Sequence, residues 1–259
     1  MQIHGNTILI TGGGSGIGRA LAHRFHDLGN RVIVTGRRLD VLQEAMAGRE
    51  NMVARTLDVE SGEAVAEFAT RMIAENPSLN LLVNNAGIMR YEKLDRARDL
   101  RDAEESIRTN LLGPIRMIDA FVEHLARQRD SAIINLSSGL AFVPMTAAPT
   151  YCATKAAIHS YTVALRSALK GRIEVIELVP PAVQTGLTPG QESREGYQPL
   201  DDFIDEVMAL FELQPTPPEI LVERVGFLRR AEAEHRFEEA VLALDALSSR
   251  LNSLDVQAD

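Results

Sequence analysis

Short, nearly unbroken apolar runs alternate along this chain with longer segments of helical period. The runs Thr7–Thr11, Arg31–Thr35, Met52–Thr56, Leu79–Asn84, Ser131–Leu136 and Ile173–Val179 are rich in Ile, Leu and Val and bounded by turn residues. They lack the in/out alternation of a half-solvated strand, which is the pattern of a parallel sheet covered on both faces. Between them, Gly16–Leu28, Leu39–Ala47, Ser61–Glu75, Leu100–Gln128 and Thr150–Leu169 repeat their apolar positions with the period of a helix. Strand-helix alternation with right-handed crossovers predicts an α/β chain built on a doubly wound parallel sheet of six strands.

The pattern changes after Val179. Residues 180–218 hold seven prolines and one short helical stretch, Asp201–Phe211. A connection this long in a compact fold is usually a binding loop or lid, so residues 187–217 are expected to cover a site. Beyond it, Glu219–Ala233 and Phe237–Leu251 read as amphipathic helices, and the last residues through Asp259 as a loose tail. At 259 residues the chain fits one α/β unit spanning 1–259.

Composition narrows the partners. A formal charge of −9 argues against a nucleic-acid binder, whose footprint would be basic. The one cysteine, Cys152, forms no internal disulfide, and no apolar run reaches transmembrane length. The expectation is a cytoplasmic protein acting on a small molecule, with no membrane partner. The six histidines show no metal-ligand spacing, and no metal site is expected.

The stretch "NTILITGGGSGIGRALAHRF" sets Gly12, Gly16 and Gly18 between a buried strand and a helix. Glycines there allow a tight turn and a close approach to pyrophosphate, whose charge then faces the helix N-terminus. This is the dinucleotide loop of a Rossmann-like fold, and it lacks the Gly-Lys-Ser/Thr ending of a nucleotide triphosphatase. The second strand ends in Gly36, Arg37 and Arg38, where a loop specific for NAD would carry an acid. Two guanidiniums suit a 2′-phosphate, so NADP(H) is favoured, with NAD(H) the alternative.

In "PTYCATKAAIHSY", Tyr151 and Lys155 stand one helical turn apart. By itself that spacing is common. Together with "TGGGSGIG", "LDV" at Leu57–Val59, "NNAG" at Asn84–Gly87, Asn110, "NLSS" at Asn135–Ser138 and "PPAVQT" at Pro180–Thr185, it is not. In this order and spacing, from about Gly5 to Thr185, the chain resembles the short-chain dehydrogenase/reductase family, in its compact single-domain form. Within that family it is similar to a bacterial, DltE-like oxidoreductase branch.

The resemblance implies an oxidoreductase that moves a hydride between NADP(H) and a carbonyl or secondary alcohol. Tyr151 would be the general acid/base, and a nearby Lys155 would stabilise its phenolate, since a free tyrosine holds its proton too tightly near neutrality. Ser138 would hold the substrate oxygen, and Asn110 would anchor a water linking Lys155 to solvent. The cofactor contacts would be Thr11, Gly12, Gly14, Ser15, Gly16, Ile17, Gly18, Arg37, Arg38, Asp58, Val59, Asn85, Ala86, Gly87, Tyr151, Lys155, Pro181, Val183 and Thr185. Asp58 would face the adenine amino group, and Val183 and Thr185 the carboxamide.

Two departures from the family pattern stand out. Pro180-Pro181 replaces the usual Pro-Gly, which removes an N–H and stiffens the backbone. The usual last strand is missing, since "FEEAVLALDALSS" reads as helix. A helical C-terminus weakens the family's tetramer contact and leaves a homodimer through Leu100–Gln128 and Thr150–Leu169 as the expectation, a tetramer as the alternative. Met89, Phe142, Met145, Leu187 and Tyr197 are candidates for an apolar substrate pocket, and Arg90 and Arg194 for an anionic substrate group. The rival reading is a catalytically silent NADP(H)-binding sensor or partner protein, which would be expected to lack one of Asn110, Ser138, Tyr151 and Lys155. An enoyl reductase is disfavoured by the tyrosine–lysine interval.

Overall fold

The computed structural model describes residues 1–255, with side chains through 249. The tail expected to be loose, through Asp259, lies outside the described residues. Seven parallel strands form one sheet in the order β3-β2-β1-β4-β5-β6-β7. They are β1 (Thr7–Thr11), β2 (Arg31–Gly36), β3 (Met52–Thr56), β4 (Leu79–Asn84), β5 (Ala132–Leu136), β6 (Glu174–Leu178) and β7 (Glu219–Ile220). The helices are α1 (Gly16–Asp27), α2 (Leu39–Ala45), α3 (Gly62–Glu75), α4 (Arg101–Ile107), α5 (Gly113–Leu125), α6 (Pro149–Ala168), α7 (Leu200–Glu212), α8 (Gly226–Arg229) and α9 (Phe237–Asp255).

The sheet separates two apolar layers, which is why its strands are apolar on both faces. On one side Ile8, Ile10, Val32 and Val34 pack with Leu21 and Phe25 of α1 and with Phe203, Val207 and Phe211 of α7. Phe25 and Phe211 meet with ring centroids 5.9 Å apart. On the other side Leu9, Ile33, Leu82 and Ile133 pack with Phe68 and Met72 of α3 and Phe121 of α5. Fully burying one such aromatic stabilises the fold by about 1.5–3 kcal/mol.

Three expectations are corrected. The sheet has seven strands rather than six: Glu219–Ile220, read as the start of a helix, pairs in parallel with Glu177–Leu178 of β6. The segment behind it is a 3₁₀ turn (Glu223–Val225) and the short α8, not one helix. Two residues are too few to show a strand period, and only the exposed edge of β6 makes them a strand. Residues 100–128 are also not one helix. A π-helical turn over Arg108–Leu112 separates α4 from α5 and carries Asn110. Lastly, the second half of the expected lid is α7, whose apolar face is core against α1.

Candidate active site

The strand order reverses between β1 and β4, and the loops after these two strands part there. That is where open α/β sheets bind ligands. A cleft of about 430 Å³ opens at this point. Gly12, Gly14, Ser15, Gly16 and Ile17 line it from the β1 side, and Asn85, Ala86 and Gly87 from the β4 side. Arg37, Arg38, Asp58 and Val59 close one end. Ser138, Tyr151, Lys155, Pro181, Val183 and Thr185 form the other.

Thr11 and Gly18 are not among the described residues lining the cleft; they brace the loop from behind. The Thr11 hydroxyl accepts the backbone N–H groups of Asn85 and Ala86, each at 3.1 Å. Asn85 in turn donates to the Thr11 and Gly12 carbonyls at 2.9 and 3.1 Å. The two loops are thereby tied together across the switch point. Gly12 has φ +65°, a left-handed conformation open to glycine, and a side chain there would lie 2.8 Å from the Ala86 Cα. At Gly18 a Cβ would lie 2.3 Å from Asn85 Nδ2 and 2.4 Å from the Gly12 carbonyl.

The site suits a dinucleotide on grounds beyond its glycines. Ser15 caps α1 without using its side chain, so the first N–H groups of that helix face the cleft end of the loop. Thr35 Oγ1 and Ser137 Oγ, both in cleft-lining residues, have no hydrogen-bond partner among the described residues. Buried polar atoms are normally paired, so two unpaired hydroxyls beside the cleft mark it as a polar site.

At the other end of the cleft, α6 presents Tyr151 and Lys155 on one face, both nearly buried. The Lys155 Nζ donates to the Leu136 carbonyl at 2.8 Å and lies 5.6 Å from the centre of the Tyr151 ring. Burial pushes the Tyr151 hydroxyl well above the ordinary tyrosine range, while a side-chain hydrogen bond with Ser138 pulls it back. Burial pushes the Lys155 ammonium down to about 8, and the negative charge of Glu177 opposes that fall. Ser138 caps the short 3₁₀ turn Gly139–Ala141 at the end of β5, its Oγ accepting the Leu140 N–H at 3.1 Å.

Asn110 sits behind the cleft and not in its wall. Its Oδ1 accepts the Ile88 N–H at 2.8 Å, and its Nδ2 donates to the Ile88 carbonyl at 2.8 Å and to Thr154 Oγ1 at 3.2 Å. The π turn is what aims this residue inward, an insertion typical of functional helices. Asn110 thus clamps the chain leaving β4 to the helix that carries Tyr151.

The five candidates for a substrate pocket do not gather around the cleft. Of its five candidates, Leu187 lines the cleft. Met145 is buried in a satellite cluster with Cys152, against which Met89 packs. Phe142 lies against His159, its ring centroid 4.7 Å away, and under the Arg229 guanidinium. Tyr197 accepts from Arg194 at 3.3 Å, and Arg194 also donates to the Tyr91 hydroxyl. Methionine and phenylalanine read the same in a core and in a pocket, and of these three Met145 is the buried one.

Sequence reasoning passed over several residues. Gln191 lines the cleft and donates to the Val183 carbonyl at 2.8 Å and to Thr185 Oγ1 at 3.2 Å, which ties the loop after Leu187 to the cleft wall. Glu60 lines the cleft beside Arg37, 3.6 Å from its guanidinium, and Glu105 lies 3.5 Å from the same group. Glu92 is buried and binds the first turn of α6. These roles depend on distant segments meeting, and no local spacing announces them. No described helix is long and apolar enough to cross a membrane.

Known proteins place this arrangement. The family model for short chain dehydrogenases matches residues 6–196. The uncharacterized oxidoreductase DltE of Bacillus subtilis (strain 168) is 39% identical over 250 residues, covering 92% of this chain and 98% of its own. The NADP-dependent 3-hydroxy acid dehydrogenase YdfG of Escherichia coli (strain K12) is 32% identical over 187 residues, covering 71% of this chain and 73% of its own. A short chain dehydrogenase from Burkholderia cenocepacia J2315, solved in complex with NADP, superposes with a TM-score of 0.77 at 26% identity, covering 91% of this chain and 96% of that one. A match across three quarters of the chain, on a fold and cleft of this form, makes the chain a member of the short-chain dehydrogenase family of oxidoreductases.

Proposed function

We propose that this chain transfers a hydride between NADP(H) and a carbonyl or secondary alcohol, with Tyr151 as general acid/base. The observation that carries the reading is one continuous cleft with a glycine loop and two arginines at one end and Ser138, Tyr151 and Lys155 at the other. NADP(H) is favoured over NAD(H) because Arg37 and Arg38 line the end where a ribose 2′ position would lie. The NADP in the related Burkholderia structure and in the name of the E. coli relative supports the same choice.

The bound nicotinamide supplies or takes the hydride. In reduction, Ser138 holds the substrate oxygen and Tyr151 gives it a proton. Lys155 stabilises the phenolate that results, and the proton is then replaced from solvent along the Asn110–Ile88 side of the cleft. The loop from Leu187 to Tyr197, held through Gln191, excludes water from the reacting centre. Asp58 and Val59 would border the adenine, and Val183 and Thr185 would hold the carboxamide, since all four line the cleft.

The whole chain, 1–259, works as one cofactor-binding unit, as a cytoplasmic homodimer joined through α4, α5 and α6. Supporting that surface, Leu94, Ile107, Leu111, Pro149 and Ala153 line a shallow apolar hollow. The short edge strand β7 offers less for a tetramer. Against the silent-sensor reading, all four of Asn110, Ser138, Tyr151 and Lys155 are present and drawn toward one end of the cleft.

A panel of carbonyl compounds, including 3-oxo acids because of the E. coli relative's name, is assayed with NADPH and NADH separately. Tyr151→Phe is expected to abolish turnover while NADPH still binds in a fluorescence titration. Unchanged turnover would overturn the mechanism. Inactivity of the wild type on every compound, with NADPH binding intact, would favour the sensor.

A further inference from the structure

The face of α6 that carries Tyr151 and Lys155 continues one turn further to His159, and there it meets a buried carboxylate. His159 Nδ1 lies 2.8 and 3.0 Å from the two oxygens of Glu177. Glu177 is in β6 and has no solvent exposure. A carboxylate cut off from water is costly unless charge and hydrogen bonds compensate. The proposed reaction gives this residue no task.

Strand register shows where the carboxylate faces. Asn84, Asn135, Glu177 and Glu219 are successive Cα partners across β4, β5, β6 and β7, so they share one face of the sheet. Asn84 donates to Asn135 at 2.9 Å, and Asn135 to Thr162 of α6 at 2.9 Å. The row therefore lies beneath α6. The next residue of β5, Leu136, gives its carbonyl to the Lys155 ammonium. Its partner in β6 is Leu178, the neighbour of Glu177. Lys155 and Glu177 are thus held at adjacent rungs of the same two strands, and His159, one turn further along α6, holds Glu177.

The other charges around this point are already matched. Glu219 is taken by Arg229 of α8 through two bonds, at 2.8 and 3.0 Å. That guanidinium stacks over Phe142 at 4.5 Å. Arg166 of α6 spends its donors on the Val175 and Pro218 carbonyls. Glu92, at the α6 N-terminus, pairs with Arg98. From α4 and the π turn, Glu105 and Arg108 pair with Arg37, Arg90 and Glu60. Among the described residues, Glu177 is the carboxylate whose charge acts on Lys155, and it acts on Arg229 as well. Tyr151 is the other titratable group beside Lys155.

We propose that Glu177, gripped by His159, is a positioning residue for Lys155: its buried carboxylate is the counter-charge that keeps the ammonium charged at the closed end of the cleft. The catalytic consequence rests on the proposed role of Lys155, but the ionisation itself is measurable without any substrate. It explains why an acid is kept between Ile176 and Leu178, both fully buried.

Lysine occurs three times in the chain, as Lys93, Lys155 and Lys170, and the other two are exposed. With 13C-labelled lysine in the full-length protein, the Cε resonance of the buried residue is followed against pH by NMR. Glu177→Gln keeps the shape and a hydrogen bond to His159 but removes the charge. It is expected to move the Lys155 midpoint down by about one unit or more. Glu177→Asp, which keeps the charge, is expected to stay closer to wild type. If Glu177→Gln does not fold, Glu177→Met is the second variant, with the same downward shift expected. A midpoint unmoved in the folded neutral variant overturns the proposal, as does an equal shift in Glu177→Asp. Neither result touches the catalytic reading, which stands or falls on Tyr151→Phe.

Discussion

Glu92 caps the helix that carries Tyr151: its carboxylate accepts the Thr150 backbone N–H at 3.0 Å and the Thr150 hydroxyl at 2.8 Å. The acid comes from the segment after β4 and is itself paired with Arg98. A negative group here satisfies an otherwise orphaned donor and complements the positive end of the helix. Tyr151 is the next residue, so the cap fixes where the proposed acid stands. Glu92→Ala is expected to cost about 1–2 kcal/mol, read as a Tm fall of about 2–8 °C for a chain of this size. It should also lower kcat with little change in NADPH affinity. A Tm within about a degree of wild type would show that the cap carries no weight.

Arg37 is held between Glu60 and Glu105 at the end of the cleft. If it meets a 2′-phosphate, Arg37→Asp removes a charge-assisted bond and adds a repulsion. NADPH should weaken by about 10- to 100-fold, since such a bond contributes about 1.5–3 kcal/mol, and NADH should change far less. Titration of both cofactors by fluorescence decides it, and equal losses would remove the arginine from the account of cofactor choice.

Gly18 has no room for a methyl group, because both obstructing atoms belong to the bond that ties the two cleft loops. Gly18→Ala is expected to destabilise the fold by about 1–3 kcal/mol, the usual cost of overpacking. It should weaken NADPH binding as well, because the loop must shift away from Asn85. Urea melts together with cofactor titrations test this; a variant with wild-type midpoint and affinity would contradict the steric argument.

Lys155 titrates at about 8, lowered by burial and supported by Glu177. The charged form is the one that stabilises a phenolate, and it is the form present below that pH. Carbonyl reduction should therefore be sustained on the acid side and fall as pH rises through about 8. A kcat/KM profile on any carbonyl accepted in the panel checks the sign, and a rate still climbing well above that pH would contradict it.

Much of this site can be read locally. A glycine loop after the first strand needs backbone freedom and nothing else nearby, so "TGGGSGIG" announces itself. Tyr151 and Lys155 share a face because a helix returns every 3.6 residues. Ser138 ends a strand whose apolar run is plain. The pocket residues were less legible, because Met145 and Phe142 are apolar groups that any enclosed space accepts. Glu177, Glu92 and Gln191 were not legible, since the first two act through partners 18 and 58 residues away, and Gln191 through the irregular loop that folds back on Val183 and Thr185.

The chain's sequence alone determined the strand-helix alternation, the glycine loop and the spacing of Tyr151 and Lys155, because these follow from side-chain periodicity and backbone freedom over a few residues. Tertiary structure alone decided the seventh strand, the π turn at Asn110 and the burial of Glu177 beneath α6. An edge strand of two residues exists only where β6 leaves unpaired backbone groups for it to meet. The worth of a charge is likewise set by the dielectric and the partners that folding gathers around it, and a sequence holds neither.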